Sequence, residues 1–311
     1  MSEHVVWLDD PGCHLVDVAG GKGSSLGRMR EAGMPVPPAF VVTASALTDS
    51  LRRRGALAEL EELTSRFESG ADAATAAGRM QKIVMATTPS ETLDAEISAA
   101  YRELGEDVFV AVRSSACAED GDAASFAGQQ ETFLNVVGSA AVTEKIVECW
   151  ASFFSERALF YRQNKGSLAD LGMAVVVQRQ IASDKSGVMF TTDPVRQRND
   201  QMVIEAAYGL GEALVSGLIT PDNYVTRRDG RLKRSRVARQ DRMIVRDPEG
   251  GTLTVDLDED MAVARVLDDT EIARLAEIGV QLESAFGSPQ DIEWAFEGEE
   301  LFVLQSRPIT T

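Results

Sequence analysis

The sequence predicts an α+β (α/β) protein of two lobes, on three observations. Apolar runs of strand length recur from Val108 to the chain's last residues, and residues from about 44 to 105 repeat their apolar side chains at helical spacing. With 311 residues and 44% hydrophobic content, the chain can build one large domain or two smaller lobes with ordinary cores. A tight link between two strand-like runs near residue 181 marks a lobe boundary, giving an N-terminal lobe of residues 1–180 and a C-terminal lobe of residues 181–311.

Charge narrows the function. The 31 basic and 49 acidic residues give a net charge of −18, which argues against a nucleic-acid or anionic-membrane surface, so a polyanionic ligand has to be held locally. Three scattered cysteines, Cys13, Cys117 and Cys149, lack metal or disulfide spacing and read as reduced structural thiols. The first ten residues carry acid where a signal peptide carries base, and no apolar run reaches the ~20 residues of a membrane span. A cytoplasmic location is the expectation.

The elements follow in order. After a short strand near Val5 to Leu8, the stretch Val16-Asp-Val-Ala-Gly-Gly-Lys-Gly-Ser-Ser-Leu-Gly27 reads as a glycine-rich turn opening a helix. Unpaired N–H groups and the positive end of the dipole there suit phosphate, with Lys22 adding a mobile charge; a plain turn and helix cap is the alternative. The stretch is not a Walker A loop, because Val16 stands where the first glycine is needed and Gly23 where Ser or Thr is needed. Gly33 to Thr43 reads as a proline-stiffened loop into a buried strand, followed by the helical block.

The strand Val108–Val112 is expected to end in Arg113-Ser-Ser115, and a second strand near Phe133 to Val137 follows a long polar loop. A loop of that length is either an ordinary surface loop or a functional one, in which Gly128 lets backbone amides approach a phosphate and Arg113 anchors the foot of the loop. Helical spacing from Ala141 to about Arg162 places Trp150, Phe153 and Phe154 in the core. Strands are expected at 173–181 and 186–194, and Gln178 at the end of the first offers an amide to a base edge. Gly209 to Gly217 is a glycine-opened helix or a packed turn. Further strands at 202–206, 224–227, 231–237 and 243–245 precede a helix at 270–286.

The last twenty residues read as a hairpin around Gly298. Alternation puts Asp291 and Glu293 on the face opposite Ile292, Trp294 and Phe296, and puts Gln305 and Arg307 on the face of Leu301 and Val303. A three-residue loop, Gly298 to Glu300, pairs Glu297 with Leu301, Glu293 with Gln305 and Asp291 with Arg307, so four polar groups converge. A two-residue loop would separate them onto opposite faces.

In this order the segments Gly20-Gly-Lys-Gly23, Val112-Arg-Ser-Ser115, Ala124-Ser-Phe-Ala-Gly-Gln-Gln-Glu-Thr-Phe-Leu-Asn135, Ser186-Gly-Val-Met-Phe190, Glu205-Ala-Ala-Tyr-Gly-Leu-Gly211, Asp291-Ile-Glu-Trp294 and Gln305-Ser-Arg-Pro308 form a recognisable set. Over nearly the whole chain it resembles the N-terminal nucleotide-binding domain of the phosphoenolpyruvate synthase, pyruvate phosphate dikinase and rifampicin phosphotransferase family. The resemblance implies an ATP-grasp fold with a nucleotide cleft between two lobes. It implies that Lys22 and Arg113 contact ATP phosphates, that the loop carrying Gly128 and Thr132 closes over them, and that Gln178 lies at the adenine side. Glu293, Gln305 and Arg307 complete the implied site. Two acids facing phosphate call for a divalent cation, so Asp291 and Glu293 are the expected Mg²⁺ ligands, with Arg307 stabilising charge on the transferring group. Arg307, Lys22 and Arg113 are thus the expected catalytic residues.

In this family the phosphoryl group passes to a histidine on a mobile domain, leaving AMP and phosphate as the other products, and then to a small-molecule acceptor. His4 and His14, the chain's two histidines, lie outside a motif of that kind. The expectation is an ATP-binding component of a dikinase-type phosphotransferase whose phosphohistidine carrier is another protein or domain and whose acceptor is pyruvate, a phenol or an antibiotic hydroxyl. A non-catalytic nucleotide-binding scaffold and a ligase-like ATP-grasp enzyme are the alternatives. Asp120-Gly-Asp122 stands where family members often have Leu-Pro, a departure that leaves the neighbouring glycine loop intact.

Overall fold

A computed structural model describes residues 4–68, 72–117, 131–165, 172–194, 198–248 and 250–309. The chain divides into two compact units, Met1–Gly27 with Pro38–Gln180, and Arg28–Pro37 with Ile181–Thr311. The second unit thus takes up a ten-residue segment from the N-terminal part as well as the residues after 180.

The first unit opens with β1 (Val5–Trp7), a 3₁₀ turn at Pro11–His14, α1 (Val16–Glu31) and β2 (Ala39–Val42). Four helices follow, α2 (Ala44–Arg54), α3 (Leu57–Glu68), α4 (Ala73–Met85) and α5 (Glu91–Leu104), then β3 (Val110–Ala116), β4 (Thr132–Val136), α6 (Ser139–Ser152), α7 (Glu156–Lys165) and β5 (Met173–Arg179). The strands form an antiparallel sheet in the order β1-β2-β5-β3-β4. One face, with Phe40, Val42, Val110, Val112, Val175 and Val177, packs into a core with Leu47, Leu51, Leu60, Met80, Ile97 and Trp150 from the helices. Each large apolar side chain fully buried there is worth about 2 kcal/mol relative to exposure.

The helices of this block begin and end on local chemistry. Asp72 and Ser90 accept backbone hydrogen bonds from Thr75 and Leu93, each satisfying an N–H that the first turn leaves unpaired, and Gly55 closes α2 in the left-handed conformation. Arg113-Ser-Ser115 lies inside β3 rather than beyond its end, because β5 pairs with it as far as Ala116. The helical run expected from Ala141 to Arg162 is two helices. Ser155 accepts a hydrogen bond from Ala158 N–H and starts α7, while Phe153 and Phe154 stack edge-on at the break, so apolar spacing continues across an interruption it cannot reveal.

The second unit is built on an antiparallel six-stranded sheet in the order β13-β12-β6-β7-β8-β9. Its strands are β6 (Lys185–Phe190), β7 (Gln201–Tyr208), β8 (Asp222–Arg227), β9 (Leu232–Arg236), β12 (Gln290–Glu297) and β13 (Glu300–Pro308). A short helix, α8 (Glu212–Val215), and a separate ribbon, β10 (Arg242–Arg246) with β11 (Thr252–Asp256), come before α9 (Glu259–Val263) and α10 (Asp269–Phe286). Sequence reading misses β11, whose five residues are all exposed and offer only Leu253 and Val255 as apolar positions.

One face of this sheet carries Ile292, Trp294, Met189, Ile204 and Tyr224, all buried, and α10 packs against β6, β8 and β12. A reciprocal capping box between Asp268 and Glu271 starts α10, and Lys185 on β6 pairs with the Glu271 carboxylate at 2.7 Å. On the opposite face Gly211, just before α8, lies against the Ser186 side chain, whose hydroxyl donates to the Gly209 carbonyl. Gly209 itself has φ 74° and a Cβ there would sit 2.3 Å from the Ile244 carbonyl oxygen, so the glycine-rich stretch is a packed turn leading into one short helix.

Candidate functional site

In the first unit, α1 is two helical segments joined at Gly20, whose φ of 68° and ψ of 176° break the helix just before Lys22. The glycine turn therefore does open a helix, after one extra turn from Val16. A Cβ on Gly20 would meet the Ser115 carbonyl oxygen at 2.2 Å. The Ser115 hydroxyl donates to the Ala19 carbonyl at 2.8 Å and accepts from Gly23 N–H at 3.2 Å, fastening the turn to β3. The Lys22 ammonium donates to the Ser114 carbonyl at 2.8 Å, one residue from Arg113.

Strand pairing then places Arg113 and Gln178 on the sheet face opposite the core. Arg113 pairs with Val176 and with Thr132, and its guanidinium donates to the Gln178 side-chain carbonyl at 3.2 Å. Gln178 is 3% exposed, yet its amide nitrogen has no partner among the described residues. A buried donor left in that state loses its hydration without recompense, and a ligand acceptor would restore the bond. Thr132 is exposed at the start of β4, and Gly128 lies outside the described residues. Asn135 and Gln180 hold β4 to the end of β5 through a buried pair of hydrogen bonds, the Asn135 backbone N–H donating to Gln180 Oε1 at 2.5 Å and Gln180 Nε2 donating to Asn135 Oδ1 at 2.6 Å.

In the second unit, Asp291 pairs with Arg307 and Glu293 with Gln305, as expected, but by a different route. Glu297 pairs with Glu300, not Leu301, so the loop is the two residues Gly298 and Glu299. A register shift between Glu293 and Trp294 puts Val303 opposite Trp294 and Gln305 opposite Glu293, leaving Leu304 as the additional residue of a β-bulge. Leu301 and Val303 accordingly share the face of Phe296 and Trp294, and Gln305 and Arg307 lie on the other face, contrary to simple alternation.

Arg307 grips Asp291 through Nε at 2.8 Å and Nη2 at 2.7 Å, both on Oδ2. Burial pushes the Asp291 carboxyl above the ordinary carboxylate range, Arg307 opposes that shift, and neighbouring Glu293 adds to it. Asp291 and Glu293 offer hard oxygen donors on one face beside a guanidinium. Among the described residues no three His, Cys, Asp or Glu side chains converge as a closed metal cage. His4 is buried, its ring 3.5 Å from the Ser45 hydroxyl and 3.8 Å from Asp49.

Residues 16–311 match the model of a family described as pyruvate phosphate dikinase, AMP/ATP-binding domain. The chain belongs to this family. Among curated proteins it is 44% identical to a probable phosphoenolpyruvate synthase of Methanocaldococcus jannaschii, over 99% of the chain and 27% of that relative. It is 37% identical to the phosphoenolpyruvate synthase of Pyrococcus furiosus over 99% of the chain and 44% of the relative. It is 38% identical to the rifampicin phosphotransferase of Bacillus subtilis over 100% of the chain and 36% of the relative. The chain thus spans less than half the length of each of these relatives. Among the described residues no helix is long and apolar enough to cross a membrane.

Ser114 and Ser115, quoted in the sequence only as part of the Val112–Ser115 motif and without a role, hold Lys22 and the Gly20 turn. Their partners lie more than 90 residues away, and the serines themselves carry no spacing signal.

Proposed function

We propose that this chain is the ATP-binding component of a dikinase-type phosphotransferase with an ATP-grasp fold, cleaving ATP to AMP, passing one phosphoryl group to a histidine on another domain or protein and the other to water, giving phosphate. The observation that carries the reading is the register of the closing hairpin, Asp291 with Arg307 and Glu293 with Gln305, in a chain of an AMP/ATP-binding family.

Each unit supplies its own set of groups. In the first, Lys22 and Arg113 bind phosphate oxygens, Gln178 gives its amide N–H to the base, and Thr132, at the start of β4, adds a hydroxyl to the phosphate contacts. In the second, Asp291 and Glu293 would hold Mg²⁺ and Gln305 adds an amide oxygen. This donor set fits an ion that ordinarily takes one or two carboxylates together with substrate phosphates and water. Mg²⁺ would supply charge neutralisation along the polyphosphate. The fixed positive charge of Arg307, already oriented by Asp291, then stabilises charge on the transferring group without reorganisation.

The acceptor of the whole reaction belongs with pyruvate, a phenol or an antibiotic hydroxyl, and the carrier histidine belongs to another domain or protein rather than being His4 or His14. Incubating the chain with Mg²⁺, ATP labelled in its phosphates and a histidine-bearing partner domain should give AMP, phosphate and an acid-labile phosphohistidine. ADP as the only nucleotide product would reject the dikinase reading.

A further inference from the structure

The sheet face that carries Asp291 and Glu293 continues across the second unit. Strand register aligns Gln305, Glu293, Val188, Glu205, Asn223 and Arg236 in one row, on β13, β12, β6, β7, β8 and β9. Cross-strand partners project from the same face, so Glu205 and Asn223 stand side by side there, separated from Glu293 only by Val188. Both are half-buried, and neither side chain makes a hydrogen bond or ion pair with any described residue. The next row holds Asp291, Phe190 and Val203, which gives this pair an apolar border.

We infer that Glu205 and Asn223 form a subsite for the ribose hydroxyls of the bound nucleotide. The inference rests on the ATP-binding reading above. A hydroxyl both donates and accepts, and a carboxylate beside an amide meets both needs, the carboxylate accepting from one hydroxyl and the amide N–H donating to the sugar oxygens. Carboxylates recognise the ribose diol in this way in dinucleotide-binding folds. Glu205 lies two strand spacings, about 10 Å, from Glu293, a separation suited to the sugar of a nucleotide whose terminal phosphates lie at Glu293. Both partners of the pair come from regular central strands, which fix their spacing better than a loop does.

Binding of ATP, 2′-deoxy-ATP and 3′-deoxy-ATP to the full chain with Mg²⁺, measured by calorimetry, tests the inference. Wild-type protein should bind ATP about tenfold more tightly than at least one deoxy analogue, the worth of one hydrogen bond to a charged group. E205A should weaken ATP by that factor, leave the discriminated analogue nearly unchanged and bring the ratio close to one. N223A should reduce the ratio less. Should E205A lose its cooperative thermal unfolding, E205Q carries the same measurement, with the ratio reduced in part. A variant that keeps both the wild-type affinity and the wild-type ratio overturns the subsite alone. Wild-type protein that binds all three equally also overturns it, while wild-type protein that binds none overturns the ATP-binding reading and the subsite with it.

Discussion

Gly20 touches Ser115 more closely than any residue with a side chain can: a Cβ there would lie 2.2 Å from the Ser115 carbonyl oxygen and 2.3 Å from its hydroxyl. The backbone at Gly20 is also left-handed, at φ 68°. Gly20→Ala therefore combines strain with overpacking, and should destabilise the chain by about 2–4 kcal/mol. Urea unfolding measures this directly. A variant within about 0.5 kcal/mol of wild type would show that the turn relaxes freely.

Arg307→Ala removes a fixed cation and leaves Asp291 without its partner, so MgATP affinity or turnover should fall by about ten- to a hundredfold. Arg307→Lys should recover only part, since a point charge does not reproduce the guanidinium fork. Lys22→Ala should act in the same direction. Wild-type binding and turnover in both alanine variants would remove these residues from the site.

Deleting Leu304 should abolish the bulge and leave Val303 opposite Trp294, Gln305 opposite Glu293 and Arg307 opposite Asp291, now in unbroken alternation. The expected outcome is a folded chain that still binds MgATP in calorimetry. Loss of binding with the fold intact would mean that the bulge itself shapes the site.

Asp222 is fully buried and accepts from Tyr224 Oη at 2.6 Å, Ala238 N–H at 2.8 Å and Val266 N–H at 3.0 Å. It joins β8 to the segments before β10 and α10. Asp222→Ala leaves three donors unpaired, two of them buried, and should cost about 3–5 kcal/mol, visible as a lower urea midpoint. Leaving the midpoint in place would show that water replaces the carboxylate.

Burial, with smaller contributions from Asp10 and Asp9, pushes the Cys13 thiol up to about 12. An unfolded thiol titrates near 8.5, so the folded state favours the neutral form: its stabilising effect is complete below that value and is lost as pH rises toward 12. Alkylation at pH 8.5, followed by mass spectrometry of the Cys13 peptide, should be slow in the folded chain and fast in urea. Equal rates would contradict the buried environment.

Strands such as β2 and β5 were legible because their apolar runs are continuous, and the pairing of Asp291 with Arg307 was legible because both ends of the hairpin carry alternating patterns. The route to that pairing was not. Glu299 and Glu300 look alike to any turn rule, and nothing in Leu304 distinguishes a bulged residue from a regular one, so loop length and bulge were exchanged without altering the final register. Lys22, Arg113 and Gln178 were visible as types of chemistry, whereas the bond from Arg113 to Gln178 and the serine clasp on the Gly20 turn depend on a sheet order that brings distant segments together. The break between α6 and α7 was hidden for the opposite reason, since its signal was overwritten by Phe153 and Phe154, both buried and at helical spacing from Trp150.

The outermost strand β9 bears on how the protein keeps. Its exposed Lys233, Arg234 and Arg236 line a sheet border whose unpaired backbone groups would otherwise template another chain. Two such borders repel each other at low ionic strength, and that protection weakens as salt shortens the reach of charge. Concentrated stocks should therefore last longer in dilute buffer than in strong salt, and light scattering that rises in dilute buffer instead would assign colloidal stability to another part of the surface.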